Sequence, residues 1–118
     1  MPFEVERSDL ESGVVILALT GSLTMGNQLM KLEWLVEELV KEAHNRIVLE
    51  MSGITYLDSS AIGVLVGCNS KIAASGGQMR LAGVTARVAA VLSISKIDTV
   101  LLIDPTRDDA VSALAIKT

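Results

Sequence analysis

Cysteine occurs once, at Cys68, in a chain of 118 residues, which excludes an internal disulfide and any multi-thiolate metal site. Aromatic residues number three, Phe3, Trp34 and Tyr56, too few for a platform on which nucleic-acid bases stack. Ten Lys and Arg stand against fourteen Asp and Glu, a net charge of −4. The cations are scattered, so nucleic-acid binding lacks its electrostatic footing. Long apolar runs are missing as well. Half the residues are hydrophobic and mean hydropathy is +0.49. Yet the longest bursts, such as Val14 to Leu19, fall far short of the roughly 18–20 residues that span a bilayer. The start, Met1-Pro2-Phe3-Glu4, has neither the basic region nor the apolar segment of a signal peptide. The expectation is one cytoplasmic domain over residues 1–118, with no direct insertion into a membrane.

Catalytic signatures are also wanting. A serine nucleophile on a Gly-x-Ser-x-Gly elbow is absent. The lone histidine, His44, falls where a helix ends and is read as serving that terminus. Neither phosphate-binding glycine motif occurs. Asp108 and Asp109 are adjacent on a helix, so they point apart and read as charges at its N-terminus rather than as metal ligands. Cys68 falls on an apolar helix face and reads as a small buried hydrophobe. No cofactor, metal or catalytic residue is therefore expected.

The hydrophobic pattern itself is informative. Glu4-Val5-Glu6 alternates as an edge strand, and Glu11-Ser12-Gly13 reads as a hairpin turn into a β-prone run from Val14 to Thr20 that closes at Gly21. From Asn27 to Ala43 the period becomes helical, with Leu29, Leu32, Val36, Leu39 and Ala43 on one stripe and Glu37 and Lys41 paired on the polar side. Met30 and Trp34 flank that stripe, as a broad core face or, alternatively, as an exposed strip for a partner. Arg46 to Met51 reads as a strand with Ser52-Gly53 its exit. Ser60 to Ala74 reads as a helix stopped by Ser75-Gly76-Gly77, and Gln78 to Ala82 as a strand. A helix capped by Thr85 runs to about Leu92. A buried strand follows from Val100 to Ile103, and a helix opens at Thr106-Arg107-Asp108-Asp109 and runs to Ala115. The order implies an α/β sandwich of about four helices on a mixed, mostly parallel sheet, with an antiparallel N-terminal edge strand. The apolar segments Ile47 to Met51 and Val100 to Ile103 fit its central strands.

One stretch remains, Leu57-Asp58-Ser59-Ser60-Ala61-Ile62-Gly63-Val64-Leu65. It joins the Arg46 strand to the next helix, at the carboxyl end of a strand where functional groups collect in such sheets. Asp58 can cap the helix by accepting the N–H of Ser60 or Ala61. Ser60, in the first turn, would present its hydroxyl to solvent. A phosphate there would carry about −1.5 to −2 charges beside the positive end of the helix dipole and the Asp58 carboxylate. Such a charge is tolerable to the fold and repulsive to an apolar or acidic partner, a switch without large movement. Gly63 and Gly67, four apart, would allow close packing of a helix or of another surface.

This stretch resembles the signature of the STAS domain, the module of sulfate transporters and of bacterial anti-sigma-factor antagonists. Leu19-Thr20-Gly21-Ser22-Leu23, Ile47 to Ile54, Gly76-Gly77 and Val84 to Leu92 resemble further parts of that family in the same order. The resemblance implies a binding protein rather than an enzyme. It implies as partners an anti-sigma factor that is a serine/threonine kinase and a phosphatase that resets the switch, and it admits a second copy of the chain. By position it makes Ser60 the phosphorylated residue, with Ser59 the second choice. It places Ser22, Leu23, Thr24, Asp58, Ser59, Ser60, Ala61 and Gly63 on the contact surface. The chain departs from the family at two positions. Ala61 stands where Gly is usual, its methyl where a kinase would approach, and Thr24 stands where an acid often follows Gly-x-Leu. Two other readings stay open: a STAS scaffold or transporter-associated subunit, and a small α/β protein binding an anion or nucleotide at this junction.

Overall fold

The computed structural model of the chain describes residues 3–115. Its elements are β1 (Glu4–Asp9), β2 (Val15–Leu23), α1 (Asn27–Lys41), β3 (Arg46–Leu57), α2 (Ser59–Ala74), β4 (Gln78–Ala82), α3 (Ala86–Ile94), a 3-10 turn (Ile97–Thr99), β5 (Leu102–Asp104) and α4 (Arg107–Ala115). The five strands form one sheet in sequence order. β1 is antiparallel to β2, and every later pair is parallel. The expected α/β class, antiparallel edge strand and four helices are all present.

Strand order determines the layers. Each parallel connection advances the same way across the sheet, so right-handed crossovers put α1, α2 and α3 on one face. α4 follows the last strand and is free to fold onto the other. The strands obey the two-residue alternation this demands. Leu17, Leu19, Leu49, Met51 and Leu81 point into the large cluster with Leu32, Leu65 and Val88 of the three helices. Ile16, Val48 and Ala82 point instead to a smaller cluster with Ala110 and Leu114 of α4.

The structure corrects four expectations. β2 does not close at Gly21, nor β3 at Met51; they run on together to Leu23 and Leu57. The Gly-Ser signals read as exits are irregularities inside continuing pairing, with register shifts at Ala18/Thr20 and Gly21/Ser22. A Cβ at Gly53 would stand 2.6 Å from Thr20 Cγ2, so glycine is what lets the bulged strands meet. Second, the Val100 to Ile103 run is not a buried central strand. β5 begins at Leu102 and pairs only β4, at the sheet edge. Leu101 is buried, while Val100, Leu102 and Ile103 are exposed. Third, Met30 and Trp34 lie off the Leu29–Leu32–Val36–Leu39 stripe and are 66% and 61% exposed, so they are exposed apolar side chains and not core. Fourth, Lys41 pairs with Glu38 at 3.3 Å, and Glu37 reaches across to Lys71 on α2.

The helix ends follow their residues. At α2, Gly76 takes φ +87°, and Gly76 N–H and Gly77 N–H donate to the Ala73 and Ile72 carbonyls, each at 3.0 Å. This is the Schellman closure that Ser75-Gly76-Gly77 predicts. α1 closes the same way without glycine. Ala43 takes φ +65° and donates to Val40 O at 3.0 Å, while the backbone N–H of His44 donates to Leu39 O at 2.8 Å. His44 thus serves the helix end through its main chain.

Candidate functional site

β2 and β3 are parallel neighbours, so their carboxyl ends come out side by side: Ser22 opposes Tyr56 and Leu23 opposes Leu57. The two loops that follow must therefore touch. Asp58 N–H donates to Leu23 O at 3.3 Å, and pairing ends there. Asp58 sits in extended geometry, φ −106° and ψ −178°, at the N-cap of α2. Its Oδ1 accepts the Ala61 N–H at 2.9 Å, which is the capping bond the sequence predicts.

The second carboxylate oxygen does something no local reading shows. Asp58 Oδ2 accepts the Met25 N–H at 2.9 Å, from the turn between β2 and α1. The bonds from Met25 first, then those from Ala61 and Ser60, hold the Asp58 carboxyl below the ordinary aspartate range. Below this clasp the hydroxyls of Ser22 and Thr55 lie 3.4 Å apart, and Thr55 Oγ1 donates to Gly21 O at 3.3 Å. The end of β2 is thus tied to the end of β3 by side chains and main chain, and the turn that follows it is tied to the α2 cap through Met25 N–H.

The residues expected on the contact surface divide by exposure. Ser59 and Gly63 are exposed; Ser22, Thr24, Asp58 and Ser60 are half-buried. Leu23 and Ala61 are fully buried in the core beneath the junction. Their side chains support the surface from inside and form no part of it. The Ala61 methyl faces the core, so it does not stand in the way of an approaching molecule. A Cβ built at Gly63 or Gly67 meets no atom within 4 Å, so neither glycine is there to pack helices of this chain together. Residues the sequence did not flag are exposed at the same junction. Met25 is 75% exposed beside Asp58, and Tyr56 is 51% exposed at the end of β3. An isolated methionine next to Gly26 carries no local signal; only the adjacency of β2 and β3 could have pointed to it.

Elsewhere the described residues offer little chemistry. Cys68 is buried, and burial pushes its thiol up to about 11, which leaves it an unreactive core side chain. Among the described residues no group of three or more metal-ligating side chains comes together, and no helix is long and apolar enough to cross a membrane.

Comparison with known proteins places these features in a family. The model of the STAS domain matches residues 7–110. A Thermotoga maritima protein described as a candidate anti-sigma factor antagonist is 30% identical over 104 residues, 88% of this chain and 92% of its own. The crystal structure of a candidate anti-sigma factor antagonist from the same organism superimposes with a TM-score of 0.86 at 26% identity, covering 95% of each chain. The Bacillus cell-fate determinant SpoIIAA in its phosphorylated form has the same fold, with a TM-score of 0.72 at 15% identity over 93% of this chain and 98% of its own.

Proposed function

We propose, from the premise that the chain belongs to the STAS domain family, that it is an anti-sigma-factor antagonist switched by phosphorylation of Ser60. The surface at the start of α2 docks an anti-sigma factor that is also a serine kinase, and so frees a sigma factor for transcription. Asp58, Ser59, Ser60 and Gly63 lie on one side of this surface and Ser22 and Thr24 on the other. The single observation that carries the reading is the placement of Ser59 and Ser60 in the first turn of α2, against the β2–α1 turn that Asp58 clasps.

The chain supplies no catalytic step. The partner brings ATP: the Ser60 hydroxyl oxygen bonds to the γ-phosphorus, the bond to ADP breaks, and the hydroxyl proton passes to a base of the kinase. The product carries about −1.5 to −2 charges beside the Asp58 carboxylate. The N-terminus of α2 stabilises that charge on the free protein. A docked partner would have to bury it, which is why the complex separates. A phosphatase restores the hydroxyl by hydrolysis, and all of this takes place in the cytoplasm.

Incubation with the cognate anti-sigma-factor kinase and ATP, followed by peptide mass spectrometry, tests the reading. The expected result is one phosphate on Ser60 and dissociation of the complex. Phosphate elsewhere, or none with a partner that binds, would overturn the assignment.

A further inference from the structure

The Asp58 carboxylate is shared between two segments, and only one of its bonds is a helix cap. Oδ1 satisfies Ala61 N–H; Oδ2 satisfies Met25 N–H. A cap needs one acceptor, so the second bond requires its own account. Gly26, immediately after Met25, takes φ +139° and makes no side-chain capping bond as the N-cap of α1. The turn that enters α1 thus depends on outside contacts, and Met25 N–H is one of the donors it must satisfy. The Met25 side chain is 75% exposed, more than Tyr56 at the same junction, and a flexible thioether at such a place suits a contact surface.

We propose that Asp58 is a positioning residue of the docking surface: its Oδ2 holds the β2–α1 turn so that the Met25 side chain stands beside Ser59 and Ser60 as an apolar contact for the partner. The proposal rests on the docking role given above and adds Met25 to it. Recognition is then composite. Serine hydroxyls from α2 and one methionine from a different loop reach the partner together, and a single carboxylate keeps them in register.

Asp58→Asn provides the test, because Asn is as good an N-cap as Asp but its amide can accept only one of the two N–H groups and turns a donor towards the other. Three measurements on the full chain are needed. Amide hydrogen exchange at Met25 in the free protein should rise about tenfold or more in Asp58→Asn, as loss of a charge-assisted bond would give. Affinity for the cognate anti-sigma factor should fall about tenfold in both Asp58→Asn and Met25→Ala. Thr85→Ala, which removes the cap of α3, should lower the melting temperature without changing affinity, which separates positioning from general destabilisation. Unchanged exchange at Met25 in Asp58→Asn would overturn the proposal. So would wild-type affinity in Met25→Ala while Ser60→Asp abolishes binding. If Ser60→Asp and Met25→Ala both bind as wild type does, the docking role itself fails.

Discussion

The Met25 backbone N–H and the Asp58 carboxylate meet at 2.9 Å across 33 residues of sequence. The same carboxylate accepts Ala61 N–H three residues on, so its ionised form is favoured in the folded chain and its pKa is depressed. A carboxyl with a lower pKa when folded stabilises the fold above its unfolded value, and that contribution disappears as pH falls through the folded value. Asp58→Ser keeps a capping oxygen but has no charge to titrate. The difference in melting temperature between wild type and Asp58→Ser should therefore be constant at neutral pH and shrink as pH drops below the ordinary aspartate value of 3.8. Thermal melts from pH 7 to pH 2.5 check this. A gap that stays constant throughout would show that the carboxylate's charge contributes nothing.

Ala43 and Gly76 hold equivalent places at the ends of α1 and α2, each with positive φ. Only Gly76 is suited to it, since Cβ in the left-handed region costs roughly 1–2 kcal/mol. Ala43→Gly should accordingly stabilise the protein by about 1 kcal/mol, net of glycine's greater unfolded entropy, and raise the melting temperature by about 4 °C. Gly76→Ala should have the opposite sign and similar size; no atom lies within 4 Å of its added Cβ, so only the backbone penalty applies. Chemical denaturation of the two variants decides it.

Gly77 is a different case. Its backbone is ordinary, but a Cβ there would run into the backbone carbonyl of Asn45, the same oxygen that accepts Gln78 N–H at 2.9 Å where β4 starts beside β3. Gly77→Ala must push two strands apart at their first contact. The expected cost is about 1–3 kcal/mol, the range for overpacking where backbone has to move. A urea titration should show a fall in midpoint larger than that of Gly76→Ala.

Much of this architecture was legible. The switch from two-residue to helical period located α1, cap and stop residues located α2, α3 and α4, and Asp58, Thr85 and Thr106 each accept the capping bond their positions imply. What stayed hidden depended on neighbours rather than on local pattern. Gly21 and Gly53 have the composition of strand ends, and only the pairing of Gly21 with Ile54 and of Gly53 with Thr20 keeps them inside the bulged strands. Leu102 and Ile103 have the composition of a central strand, but as the last strand in chain order they fall at the edge. The Asp58 to Ala61 half of the site was readable because it is local, and the Met25 half was not.

Burial of Cys68 sets another expectation. Its thiol is pushed up from the ordinary 9.0 to about 11 by desolvation, with Lys71 only partly opposing. The thiolate is the reactive form, so the native protein should resist iodoacetamide at pH 8 and react only on unfolding. The linkage runs against stability in alkali. The unfolded chain ionises this thiol above about pH 9 and the folded chain does not until about 11, so stability falls between those values. Cys68→Ala should reduce that alkaline slope in thermal melts. Rapid labelling of the folded protein at pH 8 would contradict the buried placement.

Gly63 opposes stability to function. It lies in α2, exposed, with no atom of the chain within 4 Å of an added Cβ, and glycine inside a helix is about 0.8–1 kcal/mol worse than alanine. Nothing in the fold itself therefore requires it. If the start of α2 is a docking surface, the missing Cβ is room for the partner, and the two properties should separate. Gly63→Ala should raise the free energy of unfolding by about 1 kcal/mol while weakening binding to the anti-sigma factor several-fold. Gly67→Ala, one turn farther along the helix and likewise with no atom within 4 Å of an added Cβ, should give the same stabilisation and leave binding unchanged. Calorimetric titration of the partner against both variants, beside urea melts, reads the two effects independently. Equal affinities for Gly63→Ala and Gly67→Ala would place the contact surface short of Gly63, confined to Asp58, the two serines and the turn they face.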